Sequence, residues 1–355
     1  MISSGGTTGV PKGSVRDFVA WTASVVVPSP ADRRQLANGN LAYLTQLLVD
    51  ITLLGGGTVV LQDGFDAART LATIEAEQIT DLFLVEPQLF ELMDHPDVDR
   101  RDLRSLRTLT HIGASAPAAL RLRARERLGP VIAHTYGASE MGLVSVLPPA
   151  ENDPAQPDRF TSAGRIVPGV EVRFRRPDGA LDPSCGSIEV RSPAMAGGYR
   201  HRPVEEAANF VDGWYRSGDL GRLDPDDYLH ILGRAVDCTE VDGRLVSPTG
   251  VQDVLCRLPQ VRYVVVVVDR QAGARIAAAV PWPSRTIDRT ACVEAVAAAF
   301  GAEVASTLVV LPMARIPLTE QGKPDRPEIR RRARHAMHEA QTVGAVEPVS
   351  RVRRP

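Results

Sequence analysis

Four short stretches of this 355-residue chain concentrate residue types that handle a phosphorylated ligand. The first is Ser3-Ser4-Gly5-Gly6-Thr7-Thr8-Gly9-Val10-Pro11-Lys12-Gly13. Glycines let successive backbone N–H groups close around an anion, Ser and Thr hydroxyls add donors, and Lys12 adds a point positive charge. No carboxylate interrupts the run, which reads as a polyphosphate cradle; a flexible Gly/Ser/Thr linker is the other meaning of such a composition. Gly13 after Lys12, where the Walker pattern needs Ser or Thr, makes this a phosphate loop of another kind. The second stretch is His134-Thr135-Tyr136-Gly137-Ala138-Ser139-Glu140. Tyr136 offers a ring face to a base and Glu140 a hard oxygen to Mg²⁺, unless the segment is a strand-end turn around a buried tyrosine. The third, Gly213-Trp214-Tyr215-Arg216-Ser217-Gly218-Asp219, sets an Asp in a Gly-bounded turn, suited to the vicinal hydroxyls of a ribose or to an Asx-turn. The fourth, Gln321-Gly322-Lys323-Pro324-Asp325-Arg326, holds Lys323 on an exposed loop. There it either reaches into a distant site or is merely solvated charge.

The elements that must carry these stretches follow from the pattern of apolar residues. Helices are expected over 15–27, 41–54, 67–78, 88–93 and 118–128, and strands over 58–61, 81–85, 106–112 and 131–134. Strand and helix alternating at this spacing predict a helix-covered, mostly parallel sheet. From about Ala163 the texture changes to alternating segments, 170–174, 187–191 and 228–232, separated by Gly/Pro/Asp turns, which predicts an antiparallel β-rich lobe. After Gly233-Arg234 the chain becomes α+β, with helices over 248–258 and 289–300 and strands over 263–268, 275–280 and 306–311. The fold class is therefore α/β in three parts. Residues 1–160 form the core of a large domain, 161–234 its β-rich lobe, and 235–335 a small α+β C-terminal domain. Residues 336–355 form a tail expected to be disordered, the basic helix that begins near Arg330 giving way to a Pro/Arg/Val stretch.

Composition sets bounds on partners. Apolar residues make up 44% of the chain and charged residues 24%, ordinary for a globular protein. A net charge of -2 gives no reason to expect nucleic acid. Cys185, Cys238, Cys256 and Cys292 show neither metal-ligand spacing nor a disulfide framework and read as reduced thiols of a cytoplasmic protein. No apolar run reaches membrane-spanning length, and Met1-Ile2-Ser3 has no signal-peptide character.

Taken together, the four stretches resemble the acyl-adenylate-forming superfamily, above all its acyl-CoA synthetases. The phosphate loop matches that family's Ser/Thr-Gly-Ser/Thr-Thr-Gly-x-Pro-Lys-Gly pattern. Tyr136 to Glu140 match Tyr-Gly-x-Thr/Ser-Glu, and Gly213 to Asp219 match Gly-Trp-Tyr-x-Thr/Ser-Gly-Asp, with Gly233-Arg234 following. Gly322 to Arg326 match the family's late Gly-Lys-x-Asp-Arg, so the resemblance covers residue 3 to about 330. It implies that Ser4, Gly5, Gly6, Thr7, Thr8, Gly9 and Lys12 cradle ATP phosphates. Gly113, Ala114, Ser115, Tyr136 and Gly137 would hold the adenine end. Asp219 and Arg234 would hold the ribose, and Glu140 would hold Mg²⁺. Lys323, with Glu140 and Thr8, would serve the reaction centre, where carboxylate attack on the α-phosphorus builds charge that a lysine and Mg²⁺ stabilise. The implied activity is ATP-dependent conversion of a carboxylic acid to an acyl-adenylate with release of pyrophosphate, then transfer to a thiol, either CoA or a carrier protein. The C-terminal domain would swing about a hinge after Gly233-Arg234 between the two steps.

The chain also departs from the pattern. The family carries on the order of 150 or more residues before the phosphate loop, and without them sheet edges and apolar helix faces are expected to stand exposed. Asn40 stands where an aromatic or His guards the acyl pocket; Val236 and Glu240 replace the usual hinge charges, which puts the thioester step in more question than adenylation. The acyl pocket, read as 40–46, 113–116 and 137–143, is small or apolar, which points to a fatty or aromatic monocarboxylic acid. A non-catalytic remnant that binds nucleotide is the competing class.

Overall fold

The alternation of buried strand and amphipathic helix is borne out. The computed structural model describes residues 2–4, 12–39, 41, 43–112, 117–319 and 322–344. The Gly/Thr loop over 5–11, Asn40 and the 113–116 loop lie outside the described residues. The chain divides into two compact units: Met1–Asp253 with Glu320–Lys323, and Val254–Thr319 with Pro324–Pro355.

The first unit is built on a seven-stranded sheet. Its strands lie in the order Thr58–Leu61, Arg34–Ala37, Asp81–Val85, Thr108–Ile112, Ile132–Ala138, Gly142–Leu147, Arg165–Ile166. The first five pair in parallel and the last two antiparallel. Parallel strands need crossovers, and the helices Tyr43–Leu54, Ala67–Ala76, Glu86–Met93 and Ala118–Leu128 supply them. Local chemistry fixes their ends. Asp66 caps Ala67–Ala76 by accepting from the Arg69 N–H at 2.8 Å, and Leu71 and Ile74 of that helix are wholly buried. Pro87 falls in the first turn of Glu86–Met93 rather than closing the strand before it, because a first-turn residue needs no N–H partner. The core between sheet and helices contains Leu36, Leu82, Leu84, Leu89, Leu92 and Leu109, each no more than 1% exposed.

Three elements of this unit depart from the sequence pattern. Arg34–Ala37 lies inside the sheet although it begins with two polar residues; Gln35 is buried and donates to the Leu36 carbonyl at 3.0 Å. Thr58–Leu61, although it is an apolar run, is the outermost strand, and Leu61 is 71% exposed. Tyr136-Gly137-Ala138, expected as a strand-end turn, continues the strand Ile132–Ala138 into a hairpin with Gly142–Leu147. A Cβ on Gly137 would lie 2.4 Å from the Gly142 carbonyl oxygen, so the pairing needs glycine there.

The β-rich lobe is antiparallel as expected. Its strands run Leu181–Asp182, Glu171–Arg175, Cys185–Arg191, Trp214–Leu223, Phe210–Val211, with Leu229–Arg234 pairing on Trp214–Leu223. Phe174, Ile188, Val190, Tyr215 and Leu229 pack with Met141 and Val144 of the large sheet into one core. A third sheet joins Ile2–Ser4, Lys12–Val15 and Gly198–Tyr199. The hairpin Thr239–Val241/Arg244–Val246 and the start of helix Pro248–Cys256 also belong to the first unit. Two hydrogen bonds tie that helix in place: Ala119 N–H to the Asp253 carboxylate at 2.7 Å, and Gln252 to Glu86 at 2.7 Å.

The second unit packs the helices Arg289–Phe300, Ala302–Ser306 and Arg326–Gly344 with the strands Val261–Asp269, Ala274–Pro281 and Leu308–Pro312. Val264, Val266, Ile276, Ala277, Val296, Ile329 and Ala333 form its core. The last helix continues to Gly344, past residue 336 where the sequence suggests a tail, since 336–340 holds strong helix formers and Glu339 pairs with His335 one turn back.

Candidate nucleotide-binding site

Strand pairing brings three of the four stretches together within the first unit, and the Lys323 loop joins them there. Lys12 opens the strand Lys12–Val15, opposite Ser4 across the antiparallel pair. The other edge of Lys12–Val15 pairs with Gly198–Tyr199. Ser14 is fully buried and donates to the Ser139 carbonyl at 3.4 Å; Arg16 donates to the same carbonyl at 2.7 Å. The Ala196 N–H donates to the carbonyl of Glu140 at 2.8 Å. Lys12 and Glu140 are therefore held on one backbone framework, 128 positions apart in the chain.

Glu140 sits in the tight turn between Ile132–Ala138 and Gly142–Leu147 and is 8% exposed. Its Oε1 accepts from the Tyr199 hydroxyl at 3.0 Å. A single buried carboxylate of this kind suits Mg²⁺, which is held by one or two carboxylates and completed by substrate phosphates.

Asp219, expected in a turn, lies in the ten-residue strand Trp214–Leu223, directly across from Arg234. Gly218 before it has φ +74°, and the Ala235 N–H donates to the Gly218 carbonyl at 2.9 Å. The Asp219 carboxylate accepts from the Tyr136 hydroxyl at 2.7 Å and forms an ion pair with Arg234 Nε at 3.1 Å. Arg234 also donates to the Ser217 carbonyl at 2.7 Å. Burial raises the Tyr136 pKa well above the usual phenol value and the Asp219 charge adds to it, so the hydroxyl stays a donor. Burial is the largest influence on Arg234 and opposes its charge, but Asp219, Tyr136, Tyr215 and Glu140 together outweigh it and the pKa is raised.

Lys323 lies at the tip of a turn whose flanks, Leu318 and Pro324, are bridged, and Gly322 beside it has φ +75°. The residue is exposed by surface, yet burial of its ammonium end lowers its pKa; the Arg234 charge acts the same way and Glu140 opposes both. The side chain thus belongs to the electrostatic neighbourhood of Arg234 and Glu140. The described residues that sequence reasoning missed are Tyr199, Ser14 and Arg16. Tyr199 follows Gly197-Gly198 and carries no local mark of its role; only the strand pairing reveals it.

Residues 1–200 match the AMP-binding enzyme family, and the chain belongs to that family. It is 35% identical over 347 residues to the medium/long-chain-fatty-acid–CoA ligase FadD8 of Mycobacterium tuberculosis, covering 93% of this chain and 60% of that protein. It is 33% identical over 296 residues to an indoleacetate–CoA ligase of Aromatoleum aromaticum, covering 80% of this chain and 57% of that one. The chain thus spans well under two thirds of the length of these relatives. Among solved structures, the amide bond synthetase McbA from Marinactinospora thermotolerans superposes with a TM-score of 0.80 at 34% identity, over 91% of this chain and 68% of that one. The α/β architecture derived above is that of these enzymes.

Proposed function

We propose that this chain is the nucleotide-binding and reaction part of an ATP-dependent carboxylic acid ligase. It would activate a fatty or aromatic acid as its acyl-adenylate, with loss of pyrophosphate, and pass the acyl group to the thiol of CoA. The observation that carries the reading is the meeting of Lys12, Glu140, Asp219, Arg234 and Lys323 in one unit. Lys12, with Ser4, Gly5, Gly6, Thr7, Thr8 and Gly9 of its loop, would bind the phosphates. Asp219 and Arg234 would hold the ribose, and Tyr136, Gly137, Gly113, Ala114 and Ser115 would hold the adenine end. Glu140 would hold Mg²⁺, which when bound neutralises the departing pyrophosphate. Lys323 would approach both the incoming carboxylate and the α-phosphate, where a cation stabilises the charge that develops. Glu140 beside it favours its charged form, the form this role needs, against burial and the Arg234 charge.

The test is carboxylate-dependent exchange of pyrophosphate into ATP by the whole protein that carries this chain. We expect exchange with some member of a panel of fatty and aromatic acids. Lys323→Ala should cut it by roughly 10²-fold or more. Full exchange in that variant removes Lys323 from the mechanism. A second acceptor reading rests on the 34% identity to an amide bond synthetase and on Val236 and Glu240 at the proposed hinge. Here the adenylate would go to an amine, or to a carrier-protein thiol, instead of CoA. Product analysis with CoA, a carrier protein and simple amines as acceptors separates the possibilities.

A further inference from the structure

Tyr199 touches two of the groups assigned above and lies in none of the stretches that suggested them. Its hydroxyl donates to Glu140 Oε1 at 3.0 Å, and its ring face lies 5.0 Å from the Lys12 ammonium. The ring is itself held in place. Tyr199 is 5% exposed, Phe210 meets it edge-on at 5.3 Å between centroids, and the Tyr215 hydroxyl lies 3.4 Å from its own. The backbone is fixed as well: Tyr199 N–H donates to Glu206 Oε2 at 2.9 Å, and Tyr199 pairs with Ser14 across the sheet. Gly198 before the tyrosine has φ +153°, a backbone angle that residues with a side chain rarely adopt.

A phenol has one proton to donate and two lone pairs to accept with. Giving that proton to Glu140 lets it accept from Tyr215, so the three groups form a consistent chain. Burial above all pushes the Tyr199 pKa far above its usual value, so the phenol keeps its proton. With Oε1 committed, Oε2 of Glu140 accepts from no described residue and is the oxygen left for a ligand.

We infer that Tyr199 is a positioning residue that couples the two ends of the nucleotide site, its hydroxyl setting the rotamer of the metal carboxylate Glu140 and its ring setting the place of the phosphate lysine Lys12. This rests on the functional reading above and adds to it a residue that need not touch the substrate. The two contacts are separable. Tyr199→Phe keeps the ring and removes the hydroxyl, whereas Tyr199→Leu removes both.

The experiment is calorimetric titration of ATP into the whole protein, at a series of Mg²⁺ concentrations and in EDTA. Pyrophosphate exchange is followed in parallel. Loss of one hydrogen bond to a charged group predicts that Tyr199→Phe needs roughly tenfold more Mg²⁺ for half-maximal ATP binding. ATP binding in EDTA stays at the wild-type level, and exchange recovers at saturating Mg²⁺. Tyr199→Leu should also weaken binding in EDTA, by roughly two- to fivefold, the worth of an exposed cation–π contact. Adding Tyr199→Phe to Glu140→Gln should change little, because the group it positions is already altered. Wild-type Mg²⁺ dependence in Tyr199→Phe, or full additivity with Glu140→Gln, overturns the inference. If Tyr199→Leu fails to fold, the nearly isosteric Phe variant decides alone. Mg²⁺-dependent ATP binding without exchange on any acid overturns the proposed activity and leaves the Tyr199 assignment standing. A wild-type protein that binds no ATP overturns both.

Discussion

Asp219 shows how tightly single residues are constrained at this site. Tyr136 and Arg234 hold its two oxygens, and Gly218 before it turns the strand with a φ of +74°. A Cβ on Gly218 would stand 3.3 Å from Arg234 Nη1. Gly218→Ala is therefore expected to cost about 1–2 kcal/mol of stability, the left-handed penalty for a residue with a side chain. It should also weaken ATP binding by pushing Arg234 off Asp219. Denaturant melts together with ATP titration check this, and an alanine variant with unchanged affinity refutes the geometric argument. A further residue-scale feature lies on the lobe's outer face, where buried Glu189 accepts from Arg173 at 2.6 Å and from Arg175 at 2.7 Å, and pairs with Arg216 at 3.3 Å. These guanidiniums, Arg175 foremost, hold the Glu189 carboxyl down at about 2. Alternation along the strands already puts such residues on the face opposite the core.

At the scale of elements, the paired strands Thr108–Ile112 and Ile132–Ala138 carry a second buried polar group beneath the site. His111 and His134 face each other across the pair, Nδ1 to Nδ1 at 3.3 Å, with rings stacked at 5.5 Å. Arg121, 2% exposed, is the charged neighbour from helix Ala118–Leu128; it donates to the Ser162 carbonyl at 3.1 Å and feels the charge of Asp253. Burial lowers both imidazole pKa values, that of His111 to about 3, and the Arg121 charge lowers them further. The unfolded chain binds these protons near 6.5 and the folded chain does not. The stabilisation is thus complete above pH 6.5 and erodes as the pH falls toward the folded value. The slope is at most about 1.4 kcal/mol per pH unit for each histidine. Urea unfolding at pH 7.5, 6.0 and 5.0 should show the loss beginning below 6.5, and His134→Gln should flatten it. A slope unchanged in that variant would assign the effect elsewhere.

For the molecule as a whole, a group of the exposed apolar residues lies on the outer strand and on the helices Phe18–Val25 and Tyr43–Leu54. Leu61 is 71% exposed at the sheet edge; Phe18 and Val19 are 80% and 73% exposed on helix Phe18–Val25, and Leu54 is 62% exposed at the end of Tyr43–Leu54. The two helices pack together, with Trp21 Nε1 donating to Asp50 at 3.2 Å. Open strand edges and apolar patches of this kind drive association. The 355-residue chain in isolation should therefore self-associate with rising concentration, and Phe18→Glu with Leu61→Glu should reduce it. Light scattering measures both, and scattering indifferent to the two charges argues against this face. No helix among the described residues is long and apolar enough to cross a membrane. The four cysteines are free thiols.

The sequence by itself determined the class of site and most of the elements. Glycine-rich runs, a lysine and spaced carboxylates state their chemistry locally, and helices such as Ala118–Leu128 and Arg289–Phe300 announce their ends through Gly129, Gly301 and the N-cap Asp288. What it left open depends on pairing between distant segments. Arg34–Ala37 looks like loop until its neighbours bury it, and Asp219 looks like a turn until Trp214–Leu223 finds Arg234 across the ladder. Lys323 reads as solvated charge until its loop joins the first unit beside Glu140 and Arg234. Tyr199 is invisible to any local reading. Its role depends on which strand its backbone bonds to and which carboxylate then falls within 3.0 Å, and only the tertiary structure decides that.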